Sequence, residues 1–417
     1  MSQTDKDRLQ YYSRKVKTFI VPPPDTHASD PQVHPSTYIR IAQIQPSALF
    51  PSLRHLDYNM CDRTISHIFL FLSPLLDSLA LYDIKSFENT IVGPFLATHS
   101  SRLLSKIVLS DGQMSADTLK RSIVHFKHLR SLELLDAVFM NDYALWEVLG
   151  TLPSLADLTL EANDPASHPT LFSENSNRKS GVRKYFEALE SLSVTGFIKF
   201  FLIQHLLGFI DSSCLKSIKV STVIIPQDEP EDLFTPSMTI VASKWSQSLK
   251  SLVIESSSVY RYEISNYLML LTNLHEMQAF NLYGWRMENM DGEVRRLVMS
   301  WPKLRTLTLV QASISLSTLK IIAENCPELR YLRISLDISN IPPFDTSGKS
   351  LHHNLEVLDL GRIHPYTQTT SECRIQVARY LDLIFPYLKS IEVHPDDVTW
   401  SAICDMVKLC QDIRRVK

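Results

Sequence analysis

The stretch of sequence that decides the fold is WPKLRTLTLVQASISLSTLKIIAENCPELRYLRI, from Trp301 to Ile334. The spacing LxxLxL occurs at both of its ends, first in Leu304, Leu307 and Leu309 and then in Leu329, Leu332 and Ile334. Around the first triplet the side chains alternate, with Thr306, Thr308 and Val310 directed away from the leucines. This period of two is that of a β-strand, so the stretch predicts a strand at each end.

The segment between the two triplets has the period of a helix. Its apolar residues fall at positions i, i+3, i+4 and i+7, namely Leu319, Ile322, Ala323 and Cys326. Residues at this spacing share one helical face. Ser317 is the predicted N-cap, and Asn325 followed by Pro327 predicts the end of the helix. The strands and the helix are therefore predicted to bury their apolar side chains in one shared layer.

The same triplet recurs along nearly the whole chain. Its first leucines are Leu53, Leu76, Leu104, Leu129, Leu155, Leu189, Leu215, Leu249, Leu274, Leu304, Leu329, Leu355 and Leu388. Successive first leucines are 23 to 34 residues apart, and most steps are close to the leucine-rich-repeat period of roughly 20 to 29 residues. The sequence therefore predicts a leucine-rich-repeat protein of about 13 repeats.

Proline residues mark six of the predicted boundaries between a helix and the next strand. Each stands two residues before a first leucine, at Pro51, Pro74, Pro153, Pro302, Pro327 and Pro386. Proline disfavours a helical conformation in the residue before it and has no N–H to donate. We therefore expect the helices to end at these prolines.

The repeats predict an α/β fold, the leucine-rich-repeat solenoid. Strands lie roughly 4.8 Å apart whereas helices need about 10 Å, so stacked units are expected to curve. The expected shape is a horseshoe with a parallel sheet on its concave face and helices on its convex face. Side chains that flank the leucines would then point into the concavity and form a broad binding surface.

Three regions are predicted along the chain. They are an N-terminal cap with a proline-rich loop at residues 1–50, the solenoid at 51–393, and a C-terminal capping helix at 394–417. Within the cap, Val16, Phe19 and Val21 predict a degenerate first strand. The longer steps between repeats predict surface insertions at 164–184, 226–236 and 341–354.

The composition limits the classes of function. Apolar residues make up 44% of the 417 residues, which is enough for a continuous core, and the formal net charge is only −3. That charge does not favour a nucleic-acid-binding protein, whose affinity depends on a basic field. The 10 glycines do not favour glycine-rich cofactor loops. We expect neither a nucleic-acid partner nor a cofactor.

Cysteine usage and the N-terminus bear on the compartment. The six cysteines are Cys61, Cys214, Cys326, Cys373, Cys404 and Cys410. They lie far apart except the last two, and several fall at positions predicted to be buried, which indicates small apolar side chains in a reducing compartment and not a disulfide framework. The N-terminus, MSQTDKDRLQ, has no secretory signal pattern. We expect a cytoplasmic or nuclear protein without a membrane partner.

The longest apolar stretch, Phe197 to Ile210, is too short to span a bilayer. We interpret it as a buried helix of its repeat. An exposed helix that docks a partner or lies on a membrane surface is the alternative.

The sequence contains no GxSxG, HExxH, CxxC or GxGxxG motif. The nearest pattern is Gly348, Lys349 and Ser350, the end of a phosphate-binding loop whose first glycine is replaced by Pro343. His352 and His353 follow without a second ligand pair at metal spacing. We interpret the whole segment as a solvated insertion loop and expect neither enzymatic activity nor a metal site.

Two sets of outward strand positions are candidate binding surfaces. The first is acidic and consists of Glu133, Asp157 and Glu161. The second combines aromatic, aliphatic and guanidinium side chains in Phe280, Val310, Tyr331 and Arg333. Because aromatic residues and arginine dominate interface hot spots, we predict the second set as the centre that binds a protein on the concave face.

With these repeats in place, the sequence resembles the ribonuclease-inhibitor-like leucine-rich-repeat region of fungal F-box proteins. The resemblance is carried by FPSLRHL, LSPLLDSLAL, LPSLADLTL, WPKLRTLTL and CPELRYLRI, and by YYSRKVKTFIV near the start. In that family the repeats select a substrate while an F-box binds the Skp1 adaptor of a cullin-RING ubiquitin ligase. The resemblance implies a non-enzymatic recognition protein, the substrate-binding part of an F-box-type ubiquitin ligase receptor.

The sequence departs from that family at the F-box. Only ten residues precede Tyr11, so no Leu-Pro-led F-box helical module stands there. Either the module is missing from this gene model, and Skp1 and cullin are partners through an upstream F-box, or the protein is a ligase-independent binding scaffold. A leucine-rich-repeat regulator of a small GTPase is a further alternative. Such activators carry an acidic C-terminal tail, whereas this chain ends RRVK.

Overall fold

The computed structural model describes residues 3–21, 48–59, 68, 70–83, 103–110, 116–135, 142–162, 184–196, 200–222, 234–260, 265–285, 290–343, 351, 353–360, 370–393 and 397–416. The chain divides into two compact units. Unit 1 contains residues 1–197 and 208–214, and unit 2 contains residues 198–207 and 215–417.

Unit 1 is built on parallel strands that pair in chain order. The strands are β1 (Thr18–Val21), β2 (His55–Asn59), β3 (Ser78–Tyr82), β4 (Lys106–Ser110), β5 (Ser131–Leu135), β6 (Asp157–Ala162) and β7 (Ser191–Gly196). Its described helices are α1 (Gln3–Ser13), α2 (Ala116–Ile123) and α3 (Tyr143–Gly150). Strand β1 is the degenerate first strand that the sequence predicts, since Phe19 pairs with Leu56 and Val21 with Tyr58.

Unit 2 repeats this organisation with its own parallel strands, again paired in chain order. They are β8 (Ser217–Thr222), β9 (Ser251–Tyr260), β10 (Ala279–Trp285), β11 (Thr306–Ser315), β12 (Tyr331–Asp337), β13 (Val357–Leu360) and β14 (Ser390–Glu392). The helices are α4 (Phe200–Phe209, whose last two residues belong to unit 1), α5 (Phe234–Lys244), α6 (Ser265–Leu270), α7 (Asp291–Ser300), α8 (Leu316–Asn325), α9 (Ser371–Ile384) and α10 (Val398–Val416). A 3-10 helix, Leu271–Asn273, follows α6.

The core consists of the predicted triplets and the apolar faces of the helices. In the quoted stretch, Leu307 pairs in register with Leu332 and Leu309 with Ile334, and all four side chains are at most 1% exposed. The predicted helical face of α8 is buried as well. Burial of one large aliphatic side chain stabilises a fold by roughly 1.5 to 3 kcal/mol, so the repeated triplets supply the main stabilising force.

One predicted repeat is shifted. Leu274 was expected to begin the ninth triplet, but β10 places Met277, Phe280 and Leu282 in the triplet positions, and all three are fully buried. Phe280 pairs with Leu252 on one side and Leu307 on the other. Leu274 is also buried, because the residues before β10 form a 3-10 turn that packs against the core.

The ends of α8 show how local sequence fixes the helices. The N-cap is Ser315, whose side chain accepts a hydrogen bond from the backbone N–H of Thr318. The prediction of Ser317 is therefore wrong by two residues, and its hydroxyl instead accepts from the Arg295 guanidinium. The helix ends at Asn325, two residues before Pro327, as the proline pattern predicts.

Polar side chains join some repeats to the one before. In unit 1, Ser73 Oγ donates to the carbonyl of Pro51 at 2.8 Å and accepts from the backbone N–H of Leu75. Ser212 Oγ makes the corresponding bond to the carbonyl of Leu189 at 2.6 Å. Each hydroxyl thereby satisfies backbone groups that would otherwise be buried without a partner.

In unit 2 this role belongs to His353, so the interpretation of His353 as part of a solvated loop is wrong. The residue is only 3% exposed. Its Nε2 lies 2.8 Å from the carbonyl oxygen of Cys326, and its Nδ1 accepts from the N–H of Leu355 at 3.0 Å. These bonds require the neutral ring with its proton on Nε2. Burial, opposed by the bond to Cys326, lowers the pKa of His353.

The predicted fold class, an α/β leucine-rich-repeat solenoid, is confirmed. The division at residues 50 and 393 stays a prediction, and the proline-rich loop, residues 348–350 and most of the predicted insertions lie outside the described residues. The predicted helix in Phe197 to Ile210 is α4, in which Ile203 and Leu207 are 1% exposed. Among the described helices, none has the length and apolar character needed to cross a membrane.

Candidate functional site

Each strand has a buried face, which carries the triplet, and an opposite face, which we call the open face. Side chains alternate along a strand, so the open face of each unit consists of the residues between the triplet positions. Parallel pairing places equivalent positions of neighbouring strands side by side in rows. One such row in unit 2 runs through Asn281, Thr308, Arg333 and Asp359.

Asp359 organises a polar cluster on the open face of unit 2. The Tyr331 hydroxyl donates a hydrogen bond to Asp359 Oδ2 at 3.0 Å. Arg333 Nε lies 3.1 Å from the same oxygen, but its N–H is not aligned with it, so the contact is an ion pair. The Arg333 guanidinium also lies over the ring of Tyr283, 5.9 Å from its centroid. We call Tyr283, Tyr331, Arg333 and Asp359 the aromatic–arginine cluster.

The electrostatics of the cluster favour a fixed arrangement. Burial, the hydrogen bond to Asp359 and the charge of Asp359 raise the pKa of Tyr331 to about 12, so the phenol stays protonated and keeps donating. The Asp359 side chain is only 15% exposed, whereas that of Arg333 is 37% exposed. The Arg333 guanidinium is thus paired with a largely buried carboxylate and remains partly exposed to solvent.

The same row contains a polar atom that lacks a partner. Thr308 is 1% exposed, although it lies on the open face. Beside it, Asn281 Oδ1 is buried and has no hydrogen-bond partner among the described residues. A buried acceptor without a donor is costly.

The structure places three of the four residues of the second predicted set on the open face. Tyr331 and Arg333 meet at Asp359, and Val310 lies on the same face of β11 with intermediate exposure. The prediction that Phe280 belongs to the binding surface is wrong. Its side chain is fully buried and packs 5.1 Å from the ring of Trp301, so it belongs to the core and cannot touch a partner.

The predicted acidic set lies on the open face of unit 1, in three successive rows. Asp157 pairs with Ser131, Glu133 with Thr159, and Glu161 with Thr195. The three carboxylates therefore do not share one row. The surroundings of these carboxylates are also not purely acidic, because Lys106 Nζ lies 2.6 Å from Glu133. The sequence analysis did not identify Lys106.

Sequence reasoning also missed Asp57 in unit 1 and Tyr283 and Asp359 in unit 2. Asp57 and Asp359 stand four residues after the first leucine of their triplets, Leu53 and Leu355, which is the position that Glu133 occupies in its own repeat. Counting this position in every repeat would have found both. Tyr283 was missed because the triplet of its strand was assigned three residues too early.

Other reactive groups are part of the core. Cys326 is fully buried and its Sγ lies 3.6 Å from the carbonyl oxygens of Val298 and Trp301; burial raises the pKa of its thiol to about 12. Tyr380 donates to the carbonyl of Leu316. Within the described part of the chain, no group of three or more His, Cys, Asp or Glu side chains could hold a metal ion.

No family model and no curated protein matches the chain. Among solved structures, an internalin from Listeria monocytogenes is similar with a TM-score of 0.44 and 14% identity, over 93% of this chain and 89% of the internalin. Yeast Rad7, in a complex with Elc1, gives a TM-score of 0.37 and 15% identity over 81% and 87%. The leucine-rich repeat-containing protein LegL7 from Legionella pneumophila gives 0.35 and 12% over 79% and 89%.

The strand register, the buried triplets and the intervening helices, taken from this chain alone, establish the fold. This protein is a leucine-rich-repeat solenoid.

Proposed function

We propose that this protein is a non-enzymatic recognition scaffold that binds another protein through the open face of unit 2, with the aromatic–arginine cluster as the binding centre. The observation that carries the proposal is the double contact at Asp359, which holds Tyr331 and Arg333 in place. Side chains already fixed before binding lose little conformational entropy when a partner docks.

The chemistry of the cluster supports protein recognition. Tyrosine and arginine offer large contact area together with hydrogen-bond donors, and they are the residue types in which binding energy concentrates. A row of side chains spread over neighbouring strands suits a macromolecule better than a small molecule, which needs an enclosed pocket.

The experiment is a comparative capture with the full chain as bait. We expect Tyr331→Ala with Arg333→Ala to lose the proteins that the unchanged chain retains, because each removed side chain is worth more than about 1 kcal/mol at a binding centre. The matched control is Arg296→Ala with Tyr387→Ala, which removes the same residue types from exposed positions away from the open face. Equal capture by the cluster variant and the unchanged chain would contradict the proposal, provided that both melt at similar temperatures.

We further propose that the captured protein is a ubiquitination substrate, as the resemblance to fungal F-box proteins implies. Recovery of Skp1 and cullin with the full-length gene product supports this context. Capture of a substrate that is lost with the cluster variant, without Skp1 and cullin, supports a ligase-independent scaffold instead. An in-frame F-box upstream of Met1 in the genomic sequence would supply the module that recruits the ligase.

A further inference from the structure

Helix α10 of unit 2 has a second apolar stripe in addition to the one that it buries. Its buried face consists of Trp400, Ile403, Cys404, Val407 and Gln411, each at most 9% exposed. The stripe on the opposite side of the helix, which we call the outer stripe, consists of Val398, Ala402, Met406, Leu409 and Ile413. A surface helix normally has charged and polar residues on that side. Packing of α10 on α9 accounts for the first stripe and not for the second.

The outer stripe is exposed over most of its length. Val398 is 77% exposed, Leu409 60% and Ile413 51%, and Ala402 and Met406 have intermediate exposure. Single exposed apolar residues are common on protein surfaces, whereas a contiguous apolar row marks an interaction site. From its first to its last residue the stripe extends over roughly 22 Å of helix, which is long enough to bind a macromolecule.

Polar contacts fix the rotation of α10 about its own axis. Gln411 Nε2 donates to the carbonyl oxygen of Leu388 at 3.1 Å. The Arg414 guanidinium pairs with Asp382 of α9 and donates to the carbonyl oxygen of Pro386 at 3.1 Å. Because these bonds and the buried face hold one side of the helix, the outer stripe is kept on the solvent side and is in place before a partner arrives.

The spacing within the outer stripe indicates the shape of the partner. Ala402, Met406, Leu409 and Ile413 are separated by four, three and four residues. This alternation is the a and d pattern of a coiled coil, in which each apolar side chain inserts between four side chains of a facing helix. A second α-helix therefore fits the stripe, whereas an extended strand, whose side chains repeat every two residues, does not match it.

The charges beside the stripe indicate the composition of that helix. Asp405 and Asp412 each stand one residue before an a position, which is position g of the heptad, and both side chains are exposed. The opposite flank, position e, has the side chain of Ile403 and the thiol of Cys410, and Lys408 lies at position c, farther from the stripe. Residues at g and e decide which helices pair. The two carboxylates therefore favour a partner with Lys or Arg beside its own apolar residues.

The same carboxylates disfavour two other occupants. Two copies of α10 laid antiparallel would bring Asp405 and Asp412 of one copy against those of the other, because g positions face each other in that arrangement. Helices that lie on a membrane surface are rich in Lys and Arg on the polar face, whereas the charges nearest this stripe are negative. A cationic amphipathic helix of another protein meets neither obstacle.

We propose that the outer stripe of α10 binds an amphipathic helix of a protein partner, with aliphatic side chains at heptad spacing and Lys or Arg along the flank that faces Asp405 and Asp412. The aliphatic side chains insert between Met406, Leu409 and Ile413, and the cationic ends reach the two carboxylates. This surface belongs to a helix and is separate from the strand face that carries the aromatic–arginine cluster. The proposal stands without the proposed function of that cluster.

The test measures binding of a labelled peptide of about three heptads to the full chain by fluorescence anisotropy. The peptide has Leu at a and d and Lys at e and g, since like charges at e and g keep it from pairing with itself. We expect Leu409→Gln with Ile413→Gln to weaken its binding at least about tenfold, because the apolar contacts of the seam supply the affinity. Glutamine forms helices about as well as leucine, so the variant should melt at the temperature of the unchanged chain.

The matched control is Leu103→Gln with Met299→Gln, which removes side chains of similar exposure, 51% and 67%, from positions outside α10. Its affinity for the peptide should stay within about twofold of that of the unchanged chain, because distant sites act independently. Equal weakening in both variants, full binding by the α10 variant, or no binding to the unchanged chain would overturn the proposal.

A second peptide separates the charge from the apolar contact. With Glu in place of Lys at e and g, we expect binding about tenfold weaker than that of the Lys peptide. Asp405→Asn with Asp412→Asn should remove most of this difference. Equal affinity of the unchanged chain for both peptides would overturn the proposal, since the charge of the partner is part of it.

Two further measurements address the other occupants. A dimer of the unchanged chain in analytical ultracentrifugation that Leu409→Gln with Ile413→Gln dissociates would assign the stripe to a second copy. Binding to vesicles of phosphatidylcholine and phosphatidylserine that the same variant loses would assign it to a membrane. We expect neither, and either result would overturn the proposal.

A last variant separates the two surfaces of unit 2. Tyr331→Ala with Arg333→Ala should leave the affinity for the Lys peptide unchanged. Loss of peptide binding in this variant would place the peptide on the open face and overturn the proposal for α10.

Discussion

The open faces of units 1 and 2 share one backbone plan and differ in how their charges are arranged. On unit 2, Arg333 pairs with Asp359 and Lys219 with Glu255. On unit 1, the one Lys106 pairs with Glu133, and Asp57 and Asp157 have no such contact among the described residues. The comparison teaches that equivalent rows of positions can carry either paired charges or carboxylates without such a contact. The repeats fix where side chains stand, and the residue types decide how their charges are balanced.

The largest expected effect concerns Phe280, which lies on the buried face of β10 in unit 2. Replacing Phe280 by alanine should lower the free energy of unfolding by about 3 to 5 kcal/mol, because it leaves a cavity against Trp301 in the core. Replacing Tyr283, which lies on the open face of the same strand, should cost less than about 1 kcal/mol. Urea denaturation of both variants measures this difference. Equal losses would mean that Phe280 is not a core residue.

The next effect tests whether the unit 2 cluster is held together by Asp359. Asp359→Ala removes the acceptor of Tyr331 and the ion-pair partner of Arg333, and we expect a loss of about 1 to 2 kcal/mol. The exposure of the guanidinium keeps the loss at the lower end of the range for paired charges. A double-mutant cycle with Arg333→Ala should show coupling of at least about 0.5 kcal/mol. Additive losses would contradict a fixed cluster.

A third effect is a pH dependence that distinguishes the hydrogen bonds of His353 in unit 2 from those of Ser73 in unit 1. Protonation of His353 would abolish the acceptor for the N–H of Leu355, a bond worth about 0.5 to 1.5 kcal/mol. The folded pKa of His353 is below its ordinary value of 6.5, so the unfolded chain binds the proton first. Stability from His353 is therefore complete above pH 6.5 and is lost as the pH falls through the folded pKa.

Urea denaturation between pH 8 and pH 5 measures this dependence. The stability difference between the unchanged chain and His353→Gln should shrink on acidification, whereas the difference for Ser73→Ala should not change with pH in this range. A constant difference for His353→Gln would show that the ring is not held in its neutral form.

The smallest expected effect concerns the uncompensated charge of unit 1. Asp57→Asn should raise the free energy of unfolding at pH 7 by at most about 0.5 kcal/mol, since the site is near the surface. Burial raises the folded pKa of Asp57 above its ordinary value of 3.8, so the ionised carboxylate destabilises the folded state at neutral pH. The gain should disappear as the pH falls below 3.8. A loss of stability at pH 7 would indicate a cationic partner for Asp57.

The fold was predictable because its main signal is strictly local. Leu304, Leu307 and Leu309 show their period within six residues, and Pro302 marks the preceding boundary. The repeat containing Phe280 was assigned wrongly because Leu274 and Met277 are both apolar and both buried. At such a place periodicity fits two frames, and only pairing with Leu252 and Leu307 decides between them.

The candidate sites were predictable in part. Tyr331 and Arg333 were found because they flank a clear triplet, but their convergence on Asp359 depends on pairing between β12 and β13, whose residues are 26 positions apart in the sequence. The ion pair of Lys106 with Glu133 was hidden in the same way, since it joins two strands. His353 was misjudged because its neighbours in sequence are polar, whereas its burial is set by Cys326 and Phe385.

The polar side chains that tie one repeat to its predecessor imply that this protein need not open all at once. In a repeat protein, the interface between two neighbouring repeats can open locally while the other interfaces stay intact. Because His353 makes one of these contacts and Ser73 another, acidification should lower the hydrogen-exchange protection factor of the Leu355 amide and leave that of the Leu75 amide unchanged. Mild acid would then selectively open the contact that His353 makes with the preceding repeat, well before the chain unfolds as a whole.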